Sequence, residues 1–281
     1  MYKLLEMDYE SFFGFKEKPF STSPDERFYY DSPQHSKAMN KILHGVENRL
    51  GLSLLVADIG MGKTTLARRM LNMMTSDNSY EVSLIIIVHP DISAGWFLRK
   101  IAIQLGVEDK GGERMEVISG LYKKLQEYHD QDKKVAVLID EGNMLRGKDA
   151  MEEIRGLLNI ETESQHLLNF VIFGLPEMEE NLKQDEALYQ RTAIRTTLKP
   201  LEFESVKAYI GHRIKVAGGE SLPFTNESLE LIHRYSGGKP RMINIICENA
   251  MLEAFLEKKK EIDTEIMKVV LEDLALIERV K

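Results

Sequence analysis

The chain has 281 residues, 43% of them hydrophobic and 29% charged, which fits a soluble protein with one large domain or a core plus a smaller one. A net charge of −8 argues against a free-standing DNA binder, whose footprint is a basic face, but leaves room for a local basic patch. No apolar run approaches the roughly 18–20 residues of a membrane span, and the acidic, aromatic first fifteen residues do not read as a signal peptide. Cys247 is the single cysteine, which excludes an internal disulfide and suits a reducing cytoplasm. The seven histidines show no ligand spacing with it, so no zinc site is expected.

Residues 1–50 interleave Phe12, Phe13, Phe15, Phe20, Phe28, Tyr29 and Tyr30 with Pro19, Pro24 and Pro33. This composition predicts a mostly irregular hydrophobic strap over the core, part of which can close over an adenine. A helix follows from about Ser36 to Asn48.

The organising stretch is Leu52 to Thr65. Leu52, Leu54, Leu55 and Val56 read as a buried parallel strand. Asp58-Ile59-Gly60-Met61-Gly62 then forms a tight loop, and Lys63-Thr64-Thr65 opens a helix. Strand, glycine loop, Gly-Lys-Thr and helix form a Walker A phosphate cradle. Glycines let successive N–H groups point inward, and the helix N-terminus adds its own donors and positive dipole end. The candidate nucleotide-binding residues are Asp58, Ile59, Gly60, Met61, Gly62, Lys63, Thr64 and Thr65. Lys63 is placed to reach the β- and γ-phosphates of ATP, and Thr64 to hold Mg2+. Ala57 stands where the pattern usually opens with glycine, which costs little if its backbone angles are ordinary.

Residues 82–88 read as a second buried strand, followed by helices near Ala94–Leu105 and Glu113–Tyr128. Trp96 is expected in the core or packed between helices. Val135–Ile139 is a third apolar strand ending in Asp140-Glu141. Asp140 is the second metal residue, holding Mg2+ through water beside Thr64. Glu141 is the candidate catalytic base that orients or deprotonates the attacking water. A solvated acidic pair at a strand end is common, but this Walker B-like pair stands about seventy-five residues after a phosphate loop.

Leu167–Leu175 is a fourth strand, where a polar sensor would be expected at the end. Leu175 cannot sense a phosphate, so that role is vacant or filled elsewhere. Thr192–Leu198 is a fifth strand, preceded by Arg191. Arginine stays ionised and pairs phosphate oxygens with a planar fork. Arg191 is the candidate catalytic finger reaching a neighbouring subunit's nucleotide, and Arg195 reads as a surface salt bridge.

From Pro200 the apolar spacing turns all-helical, over Phe203–Val216, Glu227–Tyr235, Pro240–Glu257 and Thr264–Glu278. Proline suits the first helical turn. It sets Arg241 at a helix start, from which Arg241 can swing onto the phosphates as a binding and catalytic residue; the alternative is a positioning salt bridge. Cys247, His233, Met242, Ile245, Ile246 and Met251 read as core of this helical part, and Glu257–Glu261 as a solvated turn.

These residues together resemble the AAA+ ATPases of the ExeA/GspA type, the general secretion pathway protein A family. The resemblance runs through Phe12-Phe13-Gly14-Phe15, Pro19-Phe20, Phe28-Tyr29-Tyr30-Asp31-Ser32, Leu138-Ile139-Asp140-Glu141, Gly174-x-Pro176-Glu177-Met178, Gln190-Arg191, Tyr209-Ile210-x-His212-Arg213 and Ser236-Gly237-Gly238-x-Pro240-Arg241. Three positions depart from it: Ala57, Gly142-Asn143 in place of Ala-Gln, and Leu175 in place of glutamine.

The resemblance implies an α/β P-loop core with a five-stranded parallel sheet (residues 1–200, including the strap) followed by an all-helical lid (residues 201–281). Nucleotide would lie at the sheet's carboxyl edge. It implies an Mg2+-dependent, ATP-hydrolysing homo-oligomer, a ring or filament with the arginine finger in trans. The implied setting is the assembly or operation of a bacterial envelope secretion or export system, in the cytoplasm or at the inner face of the inner membrane. The family's membrane-spanning and peptidoglycan-binding parts are not in this sequence, which reads as a truncated piece or a short soluble relative. The alternative function is an ATP-dependent DNA-binding regulator of the transposition type, TnsC- or TniB-like. A third is a nucleotide-gated scaffold with little turnover, motivated by Ala57 and Leu175.

Overall fold

A computed structural model of the chain describes residues 8–21, 25–90, 92–108, 111–145, 148–163 and 165–278. In chain order its elements are α1 (Tyr9–Phe13), α2 (Pro33–Glu47), β1 (Leu52–Val56), α3 (Lys63–Thr75), β2 (Tyr80–Ile86), α4 (Ala94–Gln104), α5 (Arg114–Asp130), β3 (Lys134–Asp140) and α6 (Lys148–Leu158). They continue with β4 (Asn169–Gly174), α7 (Glu177–Lys183), α8 (Glu186–Gln190), β5 (Thr192–Thr197), α9 (Phe203–Val216), α10 (Asn226–Ser236), α11 (Pro240–Leu256) and α12 (Thr264–Asp273). No helix among the described residues is long and apolar enough to cross a membrane.

The chain divides into two compact units. One joins Pro33–Ile59 to Lys63–Leu198. Its strands form a single parallel sheet in the order β2-β3-β4-β1-β5. Every residue of β1 and β4 is buried, because helices cover both faces of such a sheet. That is why both strands read as unbroken apolar runs. Asn169 is the polar exception at the start of β4. Its Oδ1 accepts from Gly51 N at 3.1 Å and its Nδ2 donates to Val135 O at 3.1 Å, so it braces both flanking strands.

The second unit holds the described parts of Met1–Ser32 and Lys199–Lys281, with Gly60–Gly62. The expected division at residue 200 kept the aromatic strap with the core; its contacts group it with the C-terminal helices instead. Tyr9, Phe15, Phe20 and Phe28 are buried in one cluster with Val206, Tyr209, Ile210, Ile246 and Met251. Full burial of such a side chain is worth about 1.5–3 kcal/mol. Arg213, also buried, fastens the strap: its Nε donates to Pro19 O at 2.5 Å, Nη2 to Ser21 O at 3.0 Å and Nη1 to Tyr209 Oη at 3.0 Å. An arginine can hold a non-regular segment because its five donors satisfy loop carbonyls that have no ladder partner.

Several expectations shift. The second strand begins at Tyr80 rather than 82, and it is the sheet's edge, with Ser83 and Ile85 buried but Ile86 exposed. Trp96 is 46% exposed rather than core, since α4 turns Phe97, Leu98 and Ile101 inward. The strap contains a five-residue helix, α1, capped by Asp8 at its start and by left-handed Gly14 at its end. Arg195 is not in a salt bridge among the described residues. It donates to the Tyr189 carbonyl and stacks 3.7 Å from that ring.

Candidate functional site

The carboxyl edge of the sheet collects the chemistry. β1 runs out at Val56, and Ala57 N–H donates to Gly174 O at 3.1 Å, so the first loop residue still extends the ladder to β4. Ala57 is not among the residues with positive φ, so alanine in place of the expected glycine carries no backbone strain. Gly60 and Gly62 do need glycine, with φ of 80° and 91°. A Cβ on Gly60 would stand 3.0 Å from Arg241 Cβ.

Lys63 begins α3 and is 7% exposed. Its Nζ donates to Ala57 O at 2.7 Å and Asp58 O at 2.9 Å, which folds the side chain back along the loop. Thr64 and Thr65 are half-buried in the first turn. That turn supplies free N–H groups and the positive end of the helix dipole. A glycine-curved loop, an ammonium and a helix N-terminus together fit a polyphosphate.

Asp140 closes β3 and is 1% exposed, and its Oδ1 accepts Glu141 N–H at 3.0 Å. Ile139 pairs with Ile172, and Phe173 pairs with Leu55. Asp140 is therefore level with the last residues of β1 and two strands away, about 10 Å. A hydroxyl and a carboxylate are the hard oxygen ligands Mg2+ takes, so the donor set of Thr64 and Asp140 fits that ion.

Glu141 has φ of 56°, a left-handed conformation unusual for a residue other than glycine. Such backbone outliers concentrate at functional sites. The turn of Gly142–Met144 that follows lies tight on β4: a Cβ on Gly142 would be 2.3 Å from Ile172 Cγ2. Asn143 Oδ1 then accepts Leu175 N–H at 3.2 Å. Asn143 and Leu175, far apart in sequence, are joined by this hydrogen bond.

Arg191 follows α8 and immediately precedes β5, whose first residue Thr192 pairs with Leu52. It thus stands at the amino edge of the sheet, about 15 Å along the strand direction from the loop after Val56. Its exposed guanidinium donates to Asn159 Oδ1 at 2.5 Å. Arg241, in the first turn of α11, donates its N–H to Gly60 O at 3.1 Å. Its side chain is exposed and has no hydrogen bond or ion pair among the described residues, so the salt-bridge alternative lacks a partner there.

Residues 46–182 match the family described as AAA domain. General secretion pathway protein A of Aeromonas hydrophila is 34% identical over 252 residues, covering 88% of this chain and 45% of that protein. The chain thus spans less than half of that relative's length. The ORC2 protein of Aeropyrum pernix, in its ADPNP–ADP complexes, has the same fold with a TM-score of 0.64 at 14% identity, over 92% of this chain and 72% of that one. Drosophila ORC bound to DNA gives a TM-score of 0.65 at 16% identity, over 98% of this chain and 68% of that one. At such identities the likeness is one of fold.

Proposed function

Since this chain belongs to the AAA+ ATPases of the general secretion pathway protein A type, we propose that it binds ATP with Mg2+ and hydrolyses it as an oligomer, with each site completed by the next copy's Arg191. Lys63 and the loop from Asp58 hold the phosphates, with Arg241 as a further phosphate ligand. Thr64 and Asp140 hold the metal, and Glu141 orients the water. Mg2+ held there would supply positive charge to offset the charge that develops on the phosphoryl oxygens.

The observation that carries this reading is the placement of Arg191. The phosphate loop is at the carboxyl edge of the sheet and Arg191 at its amino edge. A guanidinium so placed cannot reach its own copy's loop, whereas a head-to-tail neighbour can present it. An Asn159 partner leaves its charge uncancelled.

The test mixes two inactive variants. Arg191→Ala cuts turnover, by up to the roughly 10³–10⁵-fold range of arginine fingers, and spares ATP binding. Glu141→Gln binds ATP without turning it over. Mixing them restores activity, because some interfaces pair an intact Glu141 with an intact Arg191. No recovery at any ratio overturns the in-trans arrangement.

The setting we propose is a bacterial envelope export machine, with the protein in the cytoplasm or against the inner membrane's inner face. The support is the relative's name and extent of match. One observation favours a second reading, ATP-dependent DNA binding. Outside the phosphate loop's own lysine, helices α2 and α3 carry Lys37, Lys41, Arg68 and Arg69 against a single acid, Glu47, in a chain of net charge −8. A salt-dependent shift of labelled duplex that requires ATP supports that reading, and its absence supports the first.

A further inference from the structure

We infer that Asn143 is the residue that reads the terminal phosphate, in the place Leu175 leaves without a polar side chain. The inference rests on the nucleotide-binding reading above and adds a residue to it.

Asn143 is 6% exposed and polar, at the carboxyl edge between β3 and β4. Its orientation is set by chemistry. The group facing it is the Leu175 N–H, a donor, so the atom that meets it at 3.2 Å must be Oδ1. The Nδ2 amino group is thereby turned away from Leu175. Among the described residues it makes no hydrogen bond, and it is not sealed from solvent. A side chain this buried, locked at one end and with two unused N–H donors at the other, is equipped to donate to an anion.

The surrounding contacts tie this amide to the phosphate loop. Leu175 follows Gly174, whose carbonyl accepts Ala57 N–H, and the Ala57 carbonyl accepts Lys63 Nζ at 2.7 Å. Two residues before Asn143 is Glu141, the candidate base. The turn reaches β4 only because residue 142 is glycine, as an alanine Cβ there would overlap Ile172 Cγ2. The close turn brings the shorter amide of asparagine to the strand end, where Leu175 contributes only backbone.

The test compares ATP and ADP binding, by competition with a fluorescent nucleotide, in Asn143→Asp and Asn143→Ala. Asn143→Asp keeps an oxygen for Leu175 N–H and removes the donors. Both variants are expected to hold ADP within about twofold of the parent and to lose about tenfold or more in ATP affinity, the worth of a hydrogen bond to a charged group. An unchanged ATP-to-ADP ratio in both variants overturns the inference. So does parallel loss of both nucleotides, which makes Asn143 a structural brace. Failure of the parent protein to bind ATP overturns instead the nucleotide reading itself.

Discussion

Lys63 is held by Ala57: its Nζ donates to that residue's carbonyl oxygen at 2.7 Å. The position where the phosphate-loop pattern lacks its first glycine is thus the one that steadies the lysine, through backbone alone. Alanine serves as well as glycine there because residue 57 uses only backbone atoms in both its hydrogen bond to Gly174 and the one it accepts from Lys63.

Lys63→Ala is expected to abolish nucleotide binding. A ligand at about 100 times its Kd stabilises the folded state by about 2.7 kcal/mol, so ATP with Mg2+ raises the parent's Tm. The variant's Tm stays where it is without nucleotide. A full ATP-induced rise in the variant would remove Lys63 from the site.

Gly142→Ala is expected to destabilise the sheet edge. Its new methyl meets Ile172 Cγ2 at 2.3 Å and the Phe173 carbonyl oxygen at 3.3 Å. Overpacking of this kind costs about 1–3 kcal/mol. Pairing it with Ile172→Leu, which removes that γ-methyl, recovers part of the loss, because contacting sites couple. Urea unfolding of the four proteins gives the coupling energy, and a value of zero contradicts the packing described here.

The helical unit predicts a pH dependence. His212 has a buried Nε2 with no hydrogen bond among the described residues, and its ring is 5.8 Å from Tyr30. Burial is the largest influence and holds its pKa below the ordinary value of 6.5; a backbone hydrogen bond at Arg27 opposes it, the nearby Arg213 charge adds to it, and a backbone hydrogen bond at Tyr29 opposes it again. The unfolded chain then binds the proton more readily than the folded one, so stability falls as pH drops from about the ordinary value through the lowered one. His212→Gln cannot take up that proton and has a flatter Tm profile between pH 7.5 and 5. An equally steep profile in the variant would place the acid sensitivity elsewhere.

The phosphate loop, all five strands and the C-terminal helices are legible because each rests on local signals: apolar runs, glycines and helical spacing over neighbouring residues. The edge position of β2 is not legible, since VSLIIIV has the composition of a central strand and strand order is a long-range property. Trp96 shows the same limit. Its apolar character is plain, but which face of α4 turns inward depends on what α4 packs against. The strap's attachment is also long-range, because Arg213 reaches carbonyls almost two hundred residues earlier in the chain.

Sequence alone determined the chemistry on offer: an ammonium, a hydroxyl and two carboxylates at the ends of strands, with arginines to follow. Tertiary structure decided which of these share an edge. A parallel sheet sends every strand's carboxyl end the same way, so Lys63, Asp140 and Glu141 gather there while Arg191, before β5, is carried to the other end. It also decided that Asn143 meets Leu175, because that contact depends on how closely a turn can approach a neighbouring strand, and no local pattern of residues encodes such a distance.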